Sequence, residues 1–255
     1  MEQTPLVRQE GEYSLGTYRK PLYGIATIVL FLVQLFVSRI GRVAANLFSY
    51  EKFDPYNLYA WLSVHHTIQM LVALALIVLL SKRAKIDFGF RLGDTKKETK
   101  YLMMYTGAFA IYTLVCHVLM RIYSMLPTYN FPLNSVNVLG TLGFQLFLSG
   151  TSEEILFRVI PITLLVYAFG EGTNSKRQTS LETIIASCLF SIAHITWSLS
   201  PFTISINYWQ LFYAFVLGVL QGRAYQRSHS VLYPMLMHSI SNVLMVGTGY
   251  IFALF

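Results

Sequence analysis

The chain has 255 residues, of which 55% are hydrophobic and only 12% charged. Soluble domains carry roughly 25% charged residues, so the charges here are too few to cover a globular surface in water. The formal charge is +7, but Lys and Arg cluster between apolar blocks and are not interleaved with aromatics. That pattern excludes nucleic acid as a partner and points to the lipid bilayer.

The first twenty residues are polar and include Glu2, Glu10 and Glu12. They lack the basic start and short apolar core of a signal peptide, so the first span is expected to be retained. A span needs about 20 mostly apolar residues, and seven stretches qualify. They run from Pro21 to Ser38, Leu58 to Leu80, Tyr101 to Leu126, Val136 to Phe169, Leu181 to Trp197, Tyr208 to Tyr225 and Val231 to Phe252. The loop between the second and third holds Lys82, Arg83, Lys85, Arg91, Lys96, Lys97 and Lys100, and is expected to face the cytoplasm. Later loops alternate between none, the pair Lys176 and Arg177, none, and the pair Arg223 and Arg227. This pattern fits a cytoplasmic N-terminus, although Arg39, Arg42 and Lys52 run against it. The expected fold is all-α, a polytopic bundle of about seven to eight transmembrane helices around a polar cavity. It forms a single integral domain over residues 1–255 of a multi-pass cell-membrane protein. The fourth stretch would be about 50 Å long as one helix, beyond a roughly 30 Å hydrocarbon core. A kink, or a partial turn that does not cross, is expected there. Cys116 and Cys188 suggest small buried thiols, with no disulfide framework.

Ionisable residues inside apolar spans cost at least about 2.5 kcal/mol each and are functional candidates by default. Glu153 and Glu154 are followed by Arg158 in the fourth stretch, His194 lies in the fifth, and His238 and Asn242 share a helical face in the seventh. Each has a plain structural reading. Glu154 and Arg158, at i and i+4, neutralise each other; Glu153 marks an interfacial helix start; the histidines and Asn242 bond between helices. His65, His66 and His117 lack such a constellation and read as structural. Taken together, the set suits hydrolysis. A desolvated carboxylate is a better base toward water. Imidazole can hold that water, and His with Asn can donate to an oxyanion. The alternative is a divalent metal such as zinc on Glu153, His194 and His238 with an open site for water, although no HExxH motif is present. Counted from the cytoplasmic helix ends, Glu153 lies about 25 Å deep, His194 about 20 Å and His238 about 10 Å. Tilt or irregularity must bring them together.

Glu153-Glu154…Arg158, Phe190…His194 and His238…Asn242 resemble the EExxxR, FxxxH and HxxxN motifs of the CAAX-protease and bacteriocin-processing family. This family of intramembrane peptidases includes the type II CAAX prenyl endopeptidases. Gly218, Gly222, Tyr225 and Tyr233-Pro234 extend the likeness, which covers residues 140–250; Val159 departs from the Gly that many members carry. The resemblance implies a membrane-embedded endopeptidase in which Glu153 activates water, His194 assists, His238 and Asn242 form the oxyanion site, and Glu154 with Arg158 brace the cavity. It implies no organic cofactor and leaves a metal open. The partners it implies are lipid and a membrane-associated or lipid-modified peptide, as in CAAX, bacteriocin or pheromone processing. Two further readings stand beside it: a non-catalytic regulator or bacteriocin self-immunity scaffold of the same fold, and a proton-relaying transporter.

Overall fold

A computed structural model describes residues 19–170, 179–199 and 201–254. The polar N-terminal tail and the pair Lys176 and Arg177 lie outside the described residues. The protein is mostly helical. Helix α1 (Arg19–Ala45) turns Leu22, Ile25, Ile28, Val29, Leu32 and Phe36 outward, each more than half exposed, while Leu30, Gln34 and Val37 are buried. The i, i+4, i+7 spacing of the inward set is that of one helix face. So large an exposed apolar face marks a contact surface, and on a helix long and apolar enough to cross a bilayer it fits lipid.

Helix α2 (Ala60–Ala84) starts where the buried Asp54 carboxylate accepts the backbone N–H groups of Leu58, Tyr59 and Ala60 at 2.9, 2.9 and 2.7 Å. These donors would otherwise be orphaned at the helix start. Helix α3 (Thr95–Ile122) is capped by Asp94, and its buried Glu98 pairs with Arg227, whose guanidinium lies 3.6 Å over the Tyr101 ring. The intervening loop folds back under the bundle. Gly89 accepts from the Val231 N–H at 3.0 Å, and Arg91 Nε donates to the His229 carbonyl at 2.9 Å. Gly89 and Gly93 take φ of +70° and +64°, and a Cβ on Gly93 would meet the Ser228 carbonyl oxygen at 2.8 Å. Glycine answers both demands.

The fourth run is continuous from Ser135 to Phe169 but not uniform. It comprises α4 (Ser135–Phe144), a π-helical turn over Gln145–Ser149, α5 (Gly150–Glu154), a second π turn over Ile155–Val159, and α6 (Ile160–Phe169). Its later half is the hub of the core: Ile155, Leu156, Val159, Ile160, Ile162 and Leu165 are all buried. Gln34 of α1 donates its Nε2 to the Leu156 carbonyl at 3.3 Å, within the second π turn. A neighbouring helix thus satisfies backbone polarity that an irregular turn releases inside an apolar core.

Helix α7 (Leu181–Ile192) begins at Ser180, whose hydroxyl accepts the Thr183 N–H at 3.1 Å. It ends earlier than the expected span to Trp197. The N–H groups of His194 and Ile195 bond back only three residues, which closes the helix. Strand β1 (Thr196–Leu199) then pairs antiparallel with β2 (Phe202–Ser205). Helices α8 (Tyr208–Ser228) and α9 (Leu232–Leu254) complete the chain. Among the described residues four helices are long and apolar enough to cross a membrane: α1 from Pro21, α2, α3 and α9. At twelve residues α7 is shorter than a bilayer requires, and α8 carries Gln210, Gln221, Arg223, Gln226 and Arg227. Cys188 is exposed rather than buried, and Cys116 is intermediate.

Candidate active site

The two acidic residues of the EExxxR sequence occupy α5, between the π turns. Such single-turn widenings are frequent at functional sites. Consecutive helical residues point about 100° apart, so the two carboxylates enter different surroundings. Glu154 is sealed in, with 0% of its side chain exposed, whereas 18% of the Glu153 side chain is accessible. Of the two, only Glu153 reaches an accessible surface.

Glu154 organises the sealed side. Its Oε1 accepts the Nδ1 proton of His238 at 2.8 Å and lies 3.4 Å from Arg158 Nη2. Arg158, also fully buried, donates to Gln221 Oε1 at 3.1 Å and places its guanidinium 4.4 Å above the Phe190 ring. Because Glu154 engages Nδ1, the Nε2 atom of His238 is directed to Glu153 and lies 3.6 Å from its Oε2. A carboxylate that holds one ring nitrogen fixes both tautomer and orientation. On the other side of Glu153, His66 Nε2 of α2 stands 3.8 Å from Oε1. Glu153 therefore lies between two imidazoles from different helices.

Asn242 is one turn beyond His238 and donates its Nδ2 to Ser149 Oγ at 3.1 Å, four residues before Glu153. His194 stands just past the end of α7 rather than inside it. Its Nδ1 bonds to the Phe190 carbonyl at 2.9 Å, and its ring meets Phe190 edge-on at 4.8 Å. Phe190 also touches the His238 ring at 5.8 Å. The motif phenylalanine thus holds His194, His238 and Arg158 on one ring. The structure joins Glu153, Glu154, Arg158 and His238 directly, attaches Asn242 through Ser149, and attaches His194 through Phe190.

Sequence reasoning missed His66. It was grouped with His65, which instead stacks on Trp61 at 5.2 Å. The available signal was His66 with Gln69 at i and i+3 on one face of an apolar helix. Gln69 donates to Ser152 Oγ at 2.9 Å and accepts from Ser38 at 3.1 Å, pinning α1 and α2 to α5. Two glycines permit these approaches: a Cβ on Gly41 would meet the His65 carbonyl at 2.6 Å, and one on Gly150 would meet Ser239 Oγ at 2.6 Å. The zinc set of Glu153, His194 and His238 is not assembled. Among the described residues no group of three or more His, Cys, Asp or Glu is placed to hold a metal ion.

The family model for Type II CAAX prenyl endopeptidase Rce1-like proteins matches residues 135–244. The match takes in all three motif-bearing segments, from Glu153 to Asn242. Nothing among the curated proteins or the solved structures matches the chain. The Rce1-like match starts with α4, ends just beyond Asn242, and leaves α1–α3 outside it. His66 therefore reaches the site from outside the matched region. Rce1-like proteins are a protease family, which supports peptidase activity and a membrane-embedded setting. The matched model gives no support to a metalloprotease or a bacteriocin-immunity role.

Proposed function

We propose that the protein is an intramembrane endopeptidase that hydrolyses a peptide bond near the lipid-modified C-terminus of a membrane-associated substrate. The observation that carries this reading is Glu153, an accessible carboxylate flanked at 3.8 and 3.6 Å by His66 Nε2 and His238 Nε2. On this reading the chain is one integral domain of about seven crossings, with the basic 82–100 loop in the cytoplasm.

Glu153 accepts a proton from water as the water oxygen bonds to the scissile carbonyl carbon. The carbonyl π electrons move to oxygen, and the C–N bond breaks as Glu153 returns the proton to the departing amine. His66 orients the water against Glu153. With a proton on each ring nitrogen, His238 would donate from Nε2 to the oxyanion while the sealed Glu154 carboxylate holds the ring through Nδ1. The second Nδ2 hydrogen of Asn242 is a further donor. Donors fixed in a water-poor site are worth far more than in bulk water. Arg158 holds Glu154 in place, and His194 lines the approach.

Wild type and Glu153→Ala expressed at equal levels are compared by mass spectrometry of membrane peptide termini. Termini present only with wild type are expected, and would also reveal the substrate. Identical termini in both would leave a binding scaffold in place of the peptidase.

A further inference from the structure

Hydrolysis inside a bilayer requires a supply of water, and the fourth helical run carries a candidate conduit. Asn137, Thr141, Gln145, Ser149 and Glu153 fall at strict intervals of four residues. On a straight α-helix such a row drifts by about 40° per step. The π turn over Gln145–Ser149 widens the helix where the drift would otherwise carry the row away from Glu153.

The far end of the row opens into a cavity of about 500 Å³ between α3, α4 and α9. Its walls are mostly apolar, as at Met120 and Met245, with polar groups from His117, Tyr129 and Thr141, and it lies at the end of the bundle remote from the basic loop. Tyr129 Oη and His117 Nε2 both approach Gly249, at 2.7 and 3.3 Å from where a Cβ would stand. The absence of that Cβ lets both side chains close against α9 at the floor of the cavity. Further in, Thr141 Oγ1 and Gln145 Oε1 are buried and find no hydrogen-bond partner among the described residues. Ser149 Oγ comes next, accepting from Asn242 and keeping its own proton free to donate.

Buried polar atoms of this kind are nearly always satisfied, by protein or by ordered water. Successive rungs are about 6 Å apart along the axis, the span that one water covers with two hydrogen bonds. We propose that Thr141, Gln145 and Ser149 form a water-binding row that carries water from the α3/α4/α9 cavity to Glu153, over about 18 Å. The entry is at the opposite end of the bundle from the basic loop, so water and a substrate arriving from the cytoplasmic side would not compete for one opening. The role of the conduit rests on the peptidase reading, but its existence does not.

The test uses full-length protein in lipid vesicles, with Cys116 and Cys188 replaced by alanine and one cysteine introduced at a time. A charged, membrane-impermeant methanethiosulfonate reacts only with a thiolate in contact with water. Thr141→Cys and Gln145→Cys are expected to react at least ten times faster than Phe147→Cys, which lies at similar depth but faces outward. Adding Gly249→Val to Gln145→Cys, which drives the Tyr129 and His117 side chains into the cavity, is expected to slow the reaction several-fold. Equal rates at 145 and 147 would overturn the proposal. So would rapid labelling at 145 that Gly249→Val leaves unchanged in correctly folded protein, because the water would then enter elsewhere. Labelling needs no turnover. Expected rates in a protein that cleaves nothing would therefore sink the peptidase reading and leave the conduit standing.

Discussion

Gly150→Ala adds one methyl group at the point where α5 crosses α9, and its effect can be worked from the contacts. The new Cβ would lie 2.6 Å from Ser239 Oγ, 2.8 Å from Ser239 N and 3.2 Å from His238 Cβ. The hydroxyl can rotate away, but the backbone nitrogen cannot, so α9 must retreat by about 0.6 Å to reach ordinary contact at about 3.4 Å. Overpacking of this kind costs about 1–3 kcal/mol. Alanine returns about 0.5–1 kcal/mol through reduced backbone entropy, which leaves a net loss of up to about 2.5 kcal/mol, centred near 1 kcal/mol. That corresponds to a fall in Tm of a few degrees for a chain of this size. The retreat also draws His238 away from both carboxylates. Since a misplacement of about 1 Å can cost 100-fold in rate, cleavage should fall roughly 10- to 100-fold. The control is Gly143→Ala in the same helical run, where an added Cβ meets nothing within 4 Å; it should keep both stability and activity. Thermal unfolding in detergent and the rate of peptide cleavage measure the two effects. If Gly150→Ala unfolded and cleaved like Gly143→Ala, the close α5–α9 packing would not be what positions His238.

Arg158→Met leaves the sealed Glu154 carboxylate without its cation and should destabilise the protein by about 3–5 kcal/mol. The double variant Arg158→Met with Glu154→Gln should recover part of this, as thermal melts of the single and double variants would reveal. His66→Phe should lower kcat by roughly 10²-fold or more while His65→Phe lowers it far less; steady-state kinetics on the two separates the histidine facing Glu153 from its neighbour. Asp54→Ala removes the acceptor of three N–H groups at the start of α2 and should cost about 2 kcal/mol, read as a drop in Tm with KM unchanged.

Much of the architecture was legible because lipid imposes a simple rule: apolar length becomes helix. Each expected stretch corresponds to a helical run, and the expected irregularity of the fourth appears as two π turns flanking α5. The end of α7 was not legible, since Ala193, Ile195 and Trp197 carry its apolar character onward, yet the chain turns into a hairpin there. Counting depth from helix ends misled for His238. The turn before α9 is itself covered by the 85–93 loop, with Ser228, Ser230 and Val231 buried beneath it. That helix therefore starts inside the bundle, where His238 can reach Glu153. His66 escaped notice because its partner is far away in sequence, and no local spacing announces a contact between α2 and α5.

The most direct test compares wild type with Glu153→Gln, purified and reconstituted in lipid vesicles with a lipidated fluorogenic peptide. Glutamine keeps the size of the side chain and loses the base. The account predicts that Glu153→Gln retains the wild-type melting profile and loses cleavage by at least about 10³-fold. Cleavage by Glu153→Gln at close to the wild-type rate would contradict it.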